Sequence, residues 1–250
     1  MKKIWIITLF PDFFKPLLET GVAGAALRGE RGQEFEMNMI SLRNFSPKDF
    51  KGVDAAPFGG GAGMVMRPDV LKNSLIEGIV KPGNYGENYK EKLHIVFPNP
   101  RGKVWNNDSC KSFAQSAWSE DSKKDIVFIC GRYEGIDQRF IDLYIDEEFS
   151  LGDYVLTGGE IATMAIIDSS LRFSEGVLGN RNSHEDESFQ NNLLEHPQYT
   201  KPREFEGVNV PDVLLSGDHK KIAKYQHVEK IRVTKKFRPD LLIDGDHGER

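Results

Sequence analysis

Ile126-Val127-Phe128-Ile129-Cys130-Gly131-Arg132-Tyr133-Glu134-Gly135 passes from an unbroken apolar run straight into a glycine-bearing loop. A short β-rich run of this kind predicts a strand buried on both faces, because no polar residue marks a solvent side. The pattern recurs along the chain in Ile4–Phe10, Phe35–Ser41, Leu93–Phe97 and Tyr154–Leu156. Helix-like stretches separate these runs. Arg67–Gly78 places Val70, Leu71 and Leu75 on one helical face with Ile79 just beyond, and Asp108–Trp118 is similar. From about Gly159 to Phe173, Ile161, Met164, Ala165, Ile166, Ile167 and Leu171 make a helix that is apolar nearly all round. That predicts burial on more than one side, in a core or a subunit interface. Strands alternating with helices predict an α/β fold with a mostly parallel sheet.

The composition agrees with a folded chain. With 250 residues, 39% of them apolar and 28% charged, it excludes a mainly disordered or fibrous protein and suits one large or two modest domains. No apolar run approaches the roughly 20 residues that span a bilayer, so no membrane partner is expected. The N-terminal run stops at Pro11-Asp12 without a small-residue cleavage site and is read as a first strand rather than a signal peptide. Cys110 and Cys130 give neither a disulfide framework nor a paired metal motif, and a cytoplasmic protein is expected. Residues 1–173 read as the α/β domain, 174–207 as a polar, aperiodic linker, and 208–250 as a small helical domain.

Charge is distributed unevenly. His219 to Arg238 carries eight Lys/Arg against Glu229 alone, a local +7 within a chain of net charge −5, leaving −12 elsewhere. Such an element either touches a polyanion or is a solvated helix face.

Gly59-Gly60-Gly61-Ala62-Gly63 satisfies a dinucleotide-type glycine pattern but fails on context. Asp54-Ala55-Ala56-Pro57-Phe58 before it is no strand, whereas that fingerprint must leave the first strand and open a helix. A loop that brings backbone close to a ligand fits better. No phosphate-binding P-loop motif and no nucleophile elbow occur, and Cys130 reads as core. Three other loops follow predicted strands or precede the long helix: Asn99-Pro100-Arg101-Gly102, Gly131–Gly135, and Leu151–Leu156 leading to Thr157-Gly158-Gly159-Glu160. Loops leaving the carboxyl ends of parallel strands share one edge, where ligands bind. Glycines combined with rings and hydrogen-bonding groups suit a small ligand with a flat base. Glu134 and Asp153 are candidate acids there or plain caps, and Arg172 ends the long helix, where a cation also complements the dipole.

These stretches, with Phe97-Pro98 before the first loop, Ile136-Asp137 after the second, and Ile145-Asp146-Glu147-Glu148, resemble the bacterial tRNA (guanine-N1)-methyltransferase family, TrmD. So do Thr8–Pro11, Phe58–Met64, Pro197–Pro202 and Val213–Gly217, which makes the resemblance nearly chain-long. It implies a SPOUT-type parallel sheet whose C-terminal part threads a trefoil knot, an exception to the usual ban on threading. It further implies an obligate homodimer, S-adenosylmethionine bound by the knot loops, and methylation of N1 of guanosine 37 of tRNA, beside the anticodon.

By that resemblance the cofactor residues are Asn99, Pro100, Gly131, Tyr133, Glu134, Gly135, Leu151, Gly152, Asp153, Tyr154, Val155, Leu156, Gly158 and Gly159. Gly59, Glu134 and Ser183 are the substrate-binding residues, and Arg172 meets the target guanine. The family's general base is an aspartate in Asp-Ser-Phe; here Glu187-Ser188-Phe189 holds that place, with Asp186 just before it. A carboxylate can take the N1 proton, and a guanidinium such as Arg172 can stabilise the charge that moves to O6. Activity in the family depends on Mg²⁺, and no dense carboxylate cage is visible in the sequence, so a water-rich, weakly held ion is the compatible form. Asp218, Tyr225 and Gln226 depart from the Asn, Trp and Arg that the family favours in the basic helix.

Overall fold

The computed structural model describes residues 1–32, 34–47, 52–119, 121–174, 176–177 and 187–243. They form two compact units, Met1–Gly179 and Asn180–Arg250, whose boundary falls inside the stretch read as a linker.

The first unit is built on a five-stranded, all-parallel sheet. Its strands are β1 (Lys2–Thr8), β2 (Phe35–Ser41), β3 (Leu93–Val104), β4 (Asp125–Ile129) and β5 (Glu147–Ser150), in the order β2-β1-β4-β3-β5. Side chains alternate between two separate cores. Trp5 and Ile7 of β1 with Val127 and Ile129 of β4 enter one core, where Pro68–Leu75 (α2) and Gln138–Tyr144 (α4) pack. Ile4, Ile6, Ile126 and Phe128 enter the other, under Gly21–Leu27 (α1), Asn107–Ala117 (α3) and Gly159–Leu171 (α5). Helices cover both faces, which is why the central strands are apolar without alternation.

Two expectations change. Tyr154–Leu156 is not a strand but part of an open loop, and the fifth strand is Glu147–Ser150. As an edge strand it tolerates two acids, because Glu147 pairs with His94 at 3.1 Å and Glu148 with Arg101 at 3.0 Å. β3 runs on past Phe97: its register with β5 slips between Pro98 and Lys103, so Asn99–Gly102 bulges from a continuing strand.

Helix α5 lies on the sheet with Ile166, Ile167 and Leu171 fully buried. Trp118 Nε1 donates to Ser170 Oγ and Trp105 Nε1 to Ser169 Oγ, each at 2.9 Å, which fixes the helix rotation. On its other side Ile161 is 47% exposed and Met164 and Ala165 are half-buried, so one chain covers only part of the apolar surface.

In the second unit the short helix Asp212–Leu215 is followed by Gly217 at φ +70° and then by the long basic helix His219–Phe237 (α6). Asp218 caps α6 by accepting from the backbone N–H of Lys220 and Lys221. Residues 187–195 fold back on α6, where Leu194 N–H donates to the buried Thr234 Oγ1 at 2.8 Å. Among the described residues no helix is long and apolar enough to cross a membrane.

Candidate active site

The bulge within β3 and the loops leaving the carboxyl ends of β4 and β5 enclose a cavity of about 280 Å³. Phe97, Phe149 and Ala162 supply apolar lining, while Gly131, Gly135, Gly152, Gly158 and Gly159 contribute backbone. Tyr133 and Tyr154, 55% and 56% exposed, add two rings. Close approach explains one of these glycines directly. Gly159 N–H donates to Gly131 O at 2.8 Å, and a Cβ on Gly159 would stand 3.0 Å from Cys130 Cα and Gly131 N. Helix α5 therefore begins in contact with the loop after β4, as the neighbouring antiparallel bridge between Arg132 and Gly158 also shows.

The glycine-rich loop is tied to the same edge at its base. Glu134 N–H donates to Met64 O and Met66 N–H to Gly135 O, both at 3.0 Å. Gly63, at φ +87°, lets the Glu134 side chain lie where a Cβ would be, 2.4 Å from Cγ. Tyr133, held at φ +59°, also borders a wider cavity of about 660 Å³ with Leu9, Arg43, Ser46 and Asp54. Cys130, just before the β4 loop, is fully buried with Sγ 3.4 Å from Thr163 Oγ1, and burial pushes its thiol well above the ordinary range.

The family model described as tRNA (guanine-1)-methyltransferase TrmD matches residues 1–244. The chain belongs to this family. Its relatives include the tRNA (guanine-N(1)-)-methyltransferase of Lactobacillus johnsonii, 43% identical over 98% of this chain and 92% of the relative. The protein of the same name from Clostridioides difficile is 44% identical over 94% of this chain and 95% of its own. That of Endomicrobium trichonymphae is 41% identical over 96% and 99%.

Within this tRNA methyltransferase family member, the structure places the expected residues as follows. Asn99, Pro100, Gly131, Tyr133, Glu134, Gly135, Leu151, Gly152, Tyr154, Val155, Leu156, Gly158 and Gly159 all line the smaller cavity; Asp153 does not. Gly59 sits in the glycine-rich loop at φ +90° with open space about it, next to Phe58, which is 98% exposed. Arg172 is exposed at the far end of α5, beside a small cavity with Val22, Asp168 and Val177. The 13 residues of that helix separate it from Gly159 by ~20 Å, so one chain does not bring Arg172 to the cavity. Glu187 is half-buried in the second unit, where its carbonyl accepts from Gln190 N–H. Ser183 and Asp186 lie outside the described residues.

Sequence reasoning missed Phe97, Pro98, Arg132, Phe149, Ser150, Thr157 and Ala162 as lining residues. Arg132 and Thr157 stood inside loops already singled out. Phe149 and Ser150 were lost with the unrecognised fifth strand.

Among the described residues no group of three or more His, Cys, Asp or Glu could hold a metal ion.

Proposed function

We propose that the protein methylates N1 of guanosine 37 of tRNA, next to the anticodon, with S-adenosylmethionine held in the 280 Å³ cavity. One observation carries the reading: a strand bulge and two strand-end loops converge on one cavity in a chain of this methyltransferase family. The lining fits the cofactor. Glycine backbone allows close approach, two tyrosine rings can flank a flat base, and the Glu134 carboxylate can meet a cation. The volume is near the lower end of the roughly 300–1,000 Å³ of small-molecule sites. When bound, the cofactor supplies a methyl group on a sulfonium, ready for direct in-line transfer.

The chain's own residues do the rest. Guanine N1 is a poor nucleophile while it carries its proton. The Glu187 carboxylate takes that proton, and Arg172 donates hydrogen bonds to O6 as negative charge moves there. Gly59, Glu134 and Ser183 hold the base, so the remaining catalysis is positioning. In this reading the C-terminal part of the α/β domain threads the SPOUT trefoil knot, and the basic α6 grips tRNA phosphates while exposed loop bases supply specificity. Mg²⁺ enters as a weakly held, hydrated ion.

The position of Arg172 bears on assembly. The partly exposed side of α5 bears Ile161, and neighbouring segments add exposed Phe10, Phe13 and Val22. A homodimer covers this apolar face and supplies Arg172 of one copy to the cavity of the other.

The test is methyl transfer from labelled S-adenosylmethionine to two tRNA transcripts, one with guanosine at 36 and 37, one with adenosine at 37. Formation of 1-methylguanosine in the first alone is expected. Absence of transfer while the cofactor still binds would favour a non-catalytic RNA-binding relative or an enzyme that methylates a ribose or another base.

A further inference from the structure

We infer that the ion pair between half-buried Arg132 and buried Glu160 is a positioning device that fixes two lining segments of the cofactor cavity against each other, an inference resting on the cofactor reading above. Glu160, the second residue of α5, is fully buried, and no role in the proposed chemistry uses it. Its Oε1 accepts from Thr8 Oγ1 at 2.8 Å and from Arg132 Nε at 3.2 Å. Its Oε2 lies 2.9 Å from Arg132 Nη2 as an ion contact not aligned as a hydrogen bond. The remaining arm of the guanidinium, Nη1, donates to Thr157 O at 3.1 Å.

The fork therefore spans two segments. Arg132 belongs to the loop after β4, and Thr157 and Glu160 flank the start of α5. Phe10 and Phe13 place their rings 4.6 and 5.5 Å from the guanidinium and limit its swing. Gly158 leaves the space it needs, because a Cβ there would stand 2.2 Å from Arg132 Nε. Arg132, Thr157, Gly158 and Gly159 all line the cavity, so a shift of the fork moves lining that both segments supply. Arginine is required for this. A planar fork reaches a carboxylate and a carbonyl at once, whereas a lysine ammonium is a point charge on a flexible stem. Burying the Glu160 carboxylate is also a costly way to hold two segments that apolar packing could join, which argues for a geometric duty.

The test measures S-adenosylmethionine and S-adenosylhomocysteine binding by calorimetry for the unaltered chain and for Arg132→Lys, Glu160→Gln and Thr8→Val. Melting without cofactor and KM for tRNA are measured alongside. Arg132→Lys is expected to melt near the unaltered chain yet bind both ligands about 10- to 100-fold more weakly, with the tRNA KM little changed. Thr8→Val, which leaves the fork intact, should lose less. If Glu160→Gln does not fold, Arg132→Lys decides alone. Unchanged binding in Arg132→Lys, or losses that only follow a falling melting temperature, would overturn the inference. An unaltered chain that binds neither ligand would overturn the cofactor reading, and this inference with it.

Discussion

A backbone amide and an α-carbon meet at Gly159, and that contact decides what residue 159 can be. Its helical backbone is ordinary, so the objection to a side chain is space alone: Cys130 Cα and Gly131 N would each stand 3.0 Å from a new Cβ. Neither is the far end of a flexible side chain, so Gly159→Ala must push α5 away from the β4 loop. We expect it to weaken S-adenosylmethionine binding at least about 10-fold while the chain stays folded, checked by calorimetry and circular dichroism. Tyr133, Glu134 and the glycines beside them were legible in the sequence, because they stood in a loop directly after an apolar run. Arg132 was not legible as a lining residue. Its role depends on Glu160, 28 residues later in the chain, and no spacing rule links the two.

At the scale of elements, the strands with unbroken apolar runs were legible because burial on both faces leaves a plain signal. The edge strand was not, since Glu147 and Glu148 hide its pattern and only tertiary pairing with His94 and Arg101 accounts for them. Tyr154 and Val155 imitate a strand, but they are exposed in the loop between β5 and α5. The joint before β3 makes a separate prediction. Buried Tyr85 accepts a hydrogen bond from Trp5 Nε1 of β1 at 2.8 Å and donates to Asp125 Oδ2 of β4 at 2.5 Å. Burial, reinforced by the Asp125 carboxylate, holds its phenol well above the usual tyrosine range. The neutral form is the one the fold favours. Its contribution is therefore complete below the unfolded value near pH 10 and declines as pH rises beyond it. Denaturant titrations from pH 8 to 11 should show that decline in the unaltered chain and a flatter profile in Tyr85→Phe. At neutral pH the variant should be about 1–3 kcal/mol less stable, because the Trp5 donor and Asp125 lose their partner.

For the molecule as a whole, the cavity and Arg172 stand at opposite ends of one helix, and the proposed dimer resolves that separation. Two variants, each impaired alone when cofactor is kept at a concentration that Gly159→Ala cannot bind, should then repair one another. A Gly159→Ala copy retains Arg172, and an Arg172→Ala copy retains an intact cavity. Mixing them in equal amounts after subunit exchange should restore about a quarter of the unaltered activity: random pairing makes half the dimers mixed, and each has one complete site. Recovery of nothing, with mixed dimers shown by mass spectrometry, would place Arg172 and the cavity of one chain in the same site. This arrangement was invisible in the sequence, where both residue sets belong to one continuous motif-bearing stretch.

A cavity proposed to hold a methylsulfonium holds an alkylating agent, and thiolates are what such agents attack most readily. The sulfur of Cys130 sits one residue from the wall of that cavity. Full burial keeps it protonated, with Sγ 3.4 Å from Thr163 Oγ1. The core packing that completes the sheet thus also protects the protein from the cofactor it is proposed to carry, leaving the guanine as the acceptor in reach.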